Sequence, residues 1–344
     1  MASPKPQPGD SMAVSGRSRK RTVGLTVYGV LAALVIAGAV FTSSRSAANA
    51  ELRSKLTLIA PAGAGGGWDT FAREQQQALR SNGIVNSVQV VNVPGAAGTI
   101  GLGQFSTMHG QSSTLMATGT VMLGGIQLND SPVGMDDVRP LARLADDYDA
   151  IVVPADSPMN SIDDLIAEWK KDPREFPFTG GSIGSIDHLV MAQLALEAGI
   201  DASQTTYIPN TSGGEALQTV FSDTAKAAIS GYNEFADQIE AGRVKALAIS
   251  APQRLEGIDV PTLLEEGYDV QMSNWRGMVA APGTSDEDWE ELLSIITEMS
   301  QTEEWEDALA RNQWDNTFMV GEEFEEFIAV EEKEVAEILE GLDL

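Results

Sequence analysis

An α/β fold with mostly parallel sheets is predicted by two features of this sequence. From Leu56 onward, short apolar runs alternate with longer amphipathic ones, and glycine-rich turns stand where several apolar runs end. The length, 344 residues, exceeds one small domain and accommodates two lobes with an additional segment.

The additional segment comes first. Residues 1–50 hold six basic side chains (Lys5, Arg17, Arg19, Lys20, Arg21, Arg45) and one acid, Asp10, a balance of +5; with −28 overall, −33 remains on residues 51–344. A basic patch at Arg17–Arg21 precedes 23 uncharged residues, Thr22–Ser44, and then the small-residue pattern Ala48-Asn49-Ala50. That order matches a cleavable signal peptide. The uncharged stretch also reaches the ~20 residues of a spanning helix, so residues 22–44 could equally remain as a membrane anchor. Under either reading the basic flank stays in the cytoplasm and the rest of the chain is extracytoplasmic.

Strand candidates follow at 56–60, 88–92, 114–118, 150–154, 176–180, 205–209, 225–230 and 244–250. Between them, helices are expected at 68–80, 161–171, 185–198, 212–222 and 233–241. Ile162, Leu165, Ile166 and Trp169 share one face of the second, behind a Ser161-x-x-Asp164 start. Residues 286–340 read as all-helical, with Phe324, Phe327, Ile328, Val335, Ile338 and Leu339 forming an apolar stripe beside a dense run of Glu.

Composition removes several chemistries. There is no cysteine, hence no disulfide or thiolate metal site, and His109 and His188 are the only histidines. No cofactor is expected. The net charge of −28 excludes nucleic-acid binding through a basic surface. Asp136-Asp137 and Asp146-Asp147-Tyr148-Asp149 lack the glycine and terminal Glu of a calcium loop and read as solvated carboxylates at element ends.

The turns carry the functional signal. APAGAGGGWD (60–69) joins a predicted strand to a predicted helix, with glycines freeing the backbone to point N–H groups inward. A helix start adds about half a positive charge, so the turn suits an anion. It is neither a dinucleotide fingerprint, since Trp68 stands where glycine is needed, nor a P-loop, since no Gly-Lys-Ser/Thr follows. TGGSIGSIDHL (179–189) repeats the grammar, with Ser182 and Ser185 as hydroxyl donors and His188 in the first helical turn. ATGT (117–120), NTSGG (210–214) and VPGAAGTIG (93–101) add further strand-end loops. Together they suggest a cleft beyond the carboxyl ends of the strands. Gly180-x-Ser182-x-Gly184 also fits a hydrolase elbow, making an esterase using Ser182 the alternative. No histidine follows His188, so the triad order of that fold cannot be met.

APAGAGGGWDTFAR (60–73), VQVVNVPGAAGTIG (88–101), FTGGSIGSIDHL (178–189) and VPTLLEEGYDV with NWRGMVAAPG (260–283), in this order and spacing, resemble the extracytoplasmic solute receptors of tripartite tricarboxylate transporters, of TctC or Bug type. The resemblance implies a two-lobed, type II periplasmic-binding-protein fold: lobe 1 from 51–149 and 251–344, lobe 2 from 150–250. It implies a receptor and not an enzyme, with a citrate-like tricarboxylate or dicarboxylate as ligand and a large and a small membrane subunit as partners. A carboxylate sensor acting through a protein partner is a further alternative. The ligand would be held by Ala64, Gly65, Gly66, Gly67, Thr118, Gly119, Gly181, Ser182 and Ser185. Trp68, Asp69, His188 and Asn210 stand beside them, and Arg276 is the cation expected to reach a carboxylate. Trp68 and Trp275 are expected as walls.

Overall fold

The computed structural model describes residues 1–3 and 51–342, apart from Thr211 and Glu256. The N-terminal basic patch, residues 22–44 and Ala48-Asn49-Ala50 lie outside the described residues.

Seven predicted strands form close to where the apolar runs put them: β1 (Lys55–Ala60), β2 (Ser87–Asn92), β3 (Thr114–Gly119), β5 (Phe178–Gly180), β6 (Tyr207–Pro209), β7 (Ala227–Gly231) and β8 (Val244–Ile249). The eighth run, 150–154, is only the end of β4 (Arg139–Pro154), and β9 (Ser273–Ala280) lies outside every predicted run. Both were hidden by charge: Arg143, Asp146, Asp147 and Asp149 interrupt β4, and Arg276 interrupts β9. The three aspartates are not the solvated element ends that the sequence suggested. Asp146, Asp147 and Asp149 are 1%, 4% and 0% exposed, because each lies inside the folded body rather than at its rim.

The expectation of mostly parallel sheets is corrected by these two strands. β1 pairs in parallel with β2 and β3, and β5 with β6 and β7. β9 joins β3 to β4 antiparallel, and β4 pairs antiparallel with β7 and β8. The strand order is β2-β1-β3-β9-β4-β7-β5-β6, with β8 also on β4. At about 3.3 Å per residue, 16 residues extend roughly 50 Å, long enough for β4 to serve two groups of strands. Residues 139–148 pair with β9, and residues 149–154 with β7 and β8.

Ser250 fastens the place where β4 changes partners. Its Oγ accepts from the Asp149 N–H (3.0 Å) and donates to the Met272 carbonyl (2.7 Å), while its own N–H donates to Asp149 O (2.9 Å). One fully buried hydroxyl thus ties β4, the exit from β8 and the entry to β9.

Helices cover the sheets. They are α1 (Gly67–Ser81), α2 (Thr99–Phe105), α3 (Thr120–Leu128), α4 (Ile162–Trp169), α5 (Ile186–Glu197), α6 (Gly213–Phe221) and α7 (Tyr232–Glu240), followed by α8 (Asp286–Ser300), α9 (Glu303–Asn312) and α10 (Glu322–Gly341). Phe71 of α1 meets Trp305 and Trp314 edge-on at 6.0 Å each, seating α9 on the first sheet group. The apolar stripe of α10 packs against both α3 and α5, and Trp275 meets its Phe324 and Phe327 edge-on. The all-helical expectation for 286–340 is interrupted by β10 (Met319–Val320), which pairs antiparallel with Ala142 and Arg143 of β4.

Candidate ligand-binding cleft

β1 ends at Ala60 and α1 opens at Gly67, capped by Gly66 with no side-chain bond. The first-turn N–H groups therefore point outward without a capping acceptor. α5 likewise opens at Ser185 without a side-chain cap bond, whereas Ser161, Ser285 and Thr302 cap α4, α8 and α9. The loop before α1 is shaped by Asp69. Its Oδ2 accepts from Gly65 N–H and Arg73 Nε, both at 2.8 Å, and its Oδ1 from Asn92 Nδ2 at 2.9 Å. Burial acts to raise the pKa of this carboxyl, but the bonds from Arg73, Gly65 and Asn92 outweigh it and hold the group below its ordinary value.

Arg276 reaches across from β9. Its guanidinium lies against the start of α1: a Cβ added to Gly67 would stand 2.6 Å from Nη1. Nη2 bonds Asp147 Oδ2 at 2.5 Å, and the group sits 5.3 Å from the centre of the Trp314 ring. A cation at a helix N-terminus is unfavourable on its own, and Asp147 supplies the compensating charge here.

The opposite wall repeats the strand–glycine–helix turn and its closure on a first-turn aspartate, but Asp69 carries Arg73 and Asp187 carries no arginine among the described residues. The Gly181 N–H donates to Asp187 Oδ2 at 2.5 Å, and the Gly213 N–H to Glu234 Oε2 at 2.5 Å. Two amides that could have met a ligand are thus taken by the protein's own carboxylates. Tyr207 donates its hydroxyl to Gly181 O at 3.1 Å, and Asn210 donates Nδ2 to Thr179 Oγ1 at 2.6 Å.

Between the walls lies a cavity of about 580 Å³, within the roughly 300–1,000 Å³ of small-molecule sites. A second chamber of about 660 Å³ shares Gly67, Asp147, Glu234 and Arg276 with it. Of the predicted residues, Gly67, Trp68, Gly181, Ser182, Ser185, Asn210 and Arg276 line the first chamber; Ala64, Gly65 and Gly66 line the second. Asp69 is occupied in shaping its loop. Thr118 is fully buried, with its hydroxyl 3.6 and 3.5 Å from the sulfurs of Met122 and Met135. Gly119 is pressed against the Trp275 carbonyl, which a Cβ would approach to 2.2 Å. His188 stacks on Tyr207 at 4.3 Å, its Nδ1 accepts from the Gly184 N–H, and burial pushes its pKa down to about 4. Trp275 is buried, donating to Glu331. None of these five side chains or glycines lines either chamber.

Sequence reasoning missed the acids. Asp147, Asp149, Asp187 and Glu234 all line the first chamber, against the one guanidinium of Arg276. A usable signal was present for two of them: Asp147 and Asp149, two apart, share one face if their segment is a strand. Asp149 is fully buried and neither carboxylate oxygen has a partner among the described residues. Burial and then repulsion from Asp187, Asp147 and Glu234 push its pKa well up. Burial also raises Asp187, to about 6. Glu234 is raised by desolvation of a carboxylate sunk against Gly213, although the residue as a whole is exposed.

Two strand groups sharing the long strand β4, with a polar cleft at the helix starts, define a solute receptor of the periplasmic-binding-protein class. The model of the tripartite tricarboxylate transporter family receptor, TctC, matches residues 71–344, and the chain belongs to that family. Protein BugT of Bordetella pertussis is 28% identical over 235 residues, 67% of this chain and 71% of the relative. A TctC solute-binding protein from Polaromonas superposes with a TM-score of 0.70 at 27% identity, covering 83% of this chain and 98% of that one. Two Rhodopseudomonas palustris structures share the fold, at TM-scores of 0.67 and 0.70 and identities of 18% and 19%. Each match covers 84% of this chain, with 99% and 97% of the other; the first, MatC, holds malate and the second adipate. The family consists of extracytoplasmic substrate receptors, not enzymes. Among the described residues no helix is long and apolar enough to cross a membrane.

Proposed function

We propose that this receptor captures a small organic acid outside the cytoplasm and presents it to the large and small membrane subunits of a tripartite tricarboxylate transporter. The observation that carries the reading is Arg276 lying against the uncapped start of α1, where guanidinium, helix dipole and free amides converge on one cavity. Malate and adipate in two similar folds support a dicarboxylate. A citrate-like trianion fits less well, because four acids already line the chamber and like charges within a few ångströms repel strongly in a desolvated site.

Residues 51–149 with 251–344 would form one lobe and 150–250 the other, closing over the ligand about the Ser250 tie. Residues 1–50 would deliver the receptor across the membrane, as a cleaved signal or a retained anchor at 22–44. Titration calorimetry on the full-length protein in mild detergent, with succinate, malate, adipate, citrate, aspartate and glutamate, tests the reading. At least one of these should bind with micromolar affinity, about −8 kcal/mol. Absence of heat with all six, repeated in a buffer of different ionisation enthalpy, overturns it.

A further inference from the structure

We propose that the uncharged face formed by α2, α3 and the loop at Ile183 is where the membrane subunits of the transporter seat the receptor, through a patch that is apolar at its centre and basic at its rim. This rests on the reading above and assigns the docking face within it.

The observation is a gap in the charge. Residues 51–344 carry −33, yet residues 81–129 hold no Asp, Glu, Lys or Arg. The gap is not confined to buried strands. Ile100, Gln104, Thr107, Gln111, Gln127 and Asn129 are exposed, so part of the surface is bare of charge on an otherwise acidic chain. Two large apolar side chains stand out on this side: Ile100 is 49% exposed, and Ile183, on the loop before α5, is 47% exposed.

Close packing joins these parts into one surface. A Cβ on Gly95 would stand 2.6 Å from Cδ1 of Ile100, one on Gly125 2.7 Å from the Ala97 Cβ, and one on Gly124 2.4 Å from the Gly184 carbonyl. α3 is therefore wedged between the 95–98 loop and the Ile183 loop. Beside it runs a groove of about 600 Å³ with Ile100, Gln104, Met108, Asn129, Pro132 and Val133 on its walls and no charged side chain. Gly95 and Ala96 also line the first chamber, so the face begins at the mouth of the cleft, where a released ligand would leave. Under the division of lobes given above, Ile100 and Ile183 lie on different lobes, and an occupant touching both would sense how the lobes stand.

Charge selects the occupant. A second copy brings the same acidic excess, and anionic headgroups are likewise repelled by an acidic body. Interface centres are poor in charge, because a carboxylate buried there without a partner loses its hydration. This face can be covered without that penalty. At its edge the acid coat resumes with exposed Asp130, Asp136 and Asp137. A membrane protein presenting apolar side chains ringed by Lys and Arg matches both the centre and the edge.

Photocrosslinking in membranes of cells that make the full-length receptor with the large and small subunits tests the assignment. Benzoylphenylalanine in place of Gln104 or Ile183 should form adducts with a membrane subunit, identified by mass spectrometry. The same probe in place of Asp307 on α9 or Glu323 on α10, both exposed, should not. Ile100→Glu should lower the adduct yield at position 104 by at least about tenfold, the effect of one misplaced charge in an interface. Its melt and its calorimetric affinity for organic acids should match wild type. If that variant does not fold, Thr107→Glu, at an exposed site, carries the same expectation. Equal adducts at positions 307 and 323, adducts only with lipid or a second receptor, or a glutamate variant that crosslinks like wild type overturn the docking face. So does the absence of any adduct while an organic acid still binds, and in each of these cases the receptor reading stands. No adduct together with no binding of any acid overturns both.

Discussion

At the start of α1 a strand, a glycine loop and a helix leave amides uncapped and bring Arg276 alongside them. At the start of α5 the same succession has its Gly181 N–H closed by Asp187, two residues into the helix, and the neighbouring turn has its Gly213 N–H closed by Glu234. In sequence the two turns look alike, and both read as anion sites. In the structure both turns close one glycine N–H on a first-turn aspartate, Asp69 or Asp187, and both helices start without a side-chain cap; the difference is charge, with Arg73 on Asp69 and Arg276 beside the first turn, and Asp149, Asp187 and Glu234 gathered at the second. A glycine-rich helix start therefore says that an anion can be held there. Whether the anion is a ligand or the protein's own carboxylate depends on side chains that the glycines do not reveal.

The largest expected effect comes from removing the positive pole. Arg276→Gln leaves Asp147 buried without its partner, and breaking such a pair costs about 3–5 kcal/mol of stability. Ligand affinity should fall by about a hundredfold or more, as for the loss of two charge-assisted bonds. Calorimetry beside a denaturant melt separates the two losses, and Arg276→Lys should fall between because it keeps charge without the fork. Unchanged ligand affinity in Arg276→Gln would show that the two walls do not divide their labour in this way.

A second prediction sharpens the contrast through pH. Asp187 is raised to about 6 and its neighbour His188 is lowered to about 4, both by burial first. The folded protein holds the Asp187 proton more tightly than the unfolded chain, so its contribution is full below the ordinary carboxylate range and is lost as pH rises through about 6. The folded protein binds the His188 proton more weakly, so that contribution is present above the ordinary imidazole range and is lost as pH falls toward about 4. Across pH 4–6 the two slopes oppose, each on the order of 2–3 kcal/mol. Asp187→Asn should gain stability relative to wild type between about pH 4.5 and 6.5, and His188→Gln should lose it, in urea unfolding read at both values. Shifts of the same sign in both variants would break the assignment of these two groups.

The same contrast explains what could be read beforehand. Apolar runs located most of the strands because those strands carry few charges, with Lys55 and Lys245 only at or near their starts, and α4 was legible down to its Ser161 cap, which accepts the Asp164 N–H. β4 and β9 were not legible because the residues that make the cleft, Asp147, Asp149 and Arg276, sit inside them and break the apolar pattern. A functional strand carries charges that only a folded partner strand justifies. Loop residues fared unevenly for a related reason. Gly67 and Ser182 line the cleft, whereas Thr118 and Gly119, equally at a strand end, are packed away from it, the first against the methionine sulfurs and the second against the Trp275 carbonyl of β9. The side on which a strand-end residue lands depends on β9, the strand the apolar pattern did not show.

The smallest effect is expected on the wall already closed. Ser182 is exposed at the cleft rim, and its hydroxyl bonds no protein group among the described residues. Because Asp187 and Glu234 have taken the nearby amides, this hydroxyl contributes one neutral hydrogen bond to a ligand rather than completing an anion site. Ser182→Ala should leave the melt unchanged and weaken binding by about 0.5–1.5 kcal/mol, roughly two- to tenfold. The comparison with Arg276→Gln is the informative part. If Ser182→Ala costs as much affinity as the arginine does, the second wall grips the anion after all, and the ordering of the two poles reverses.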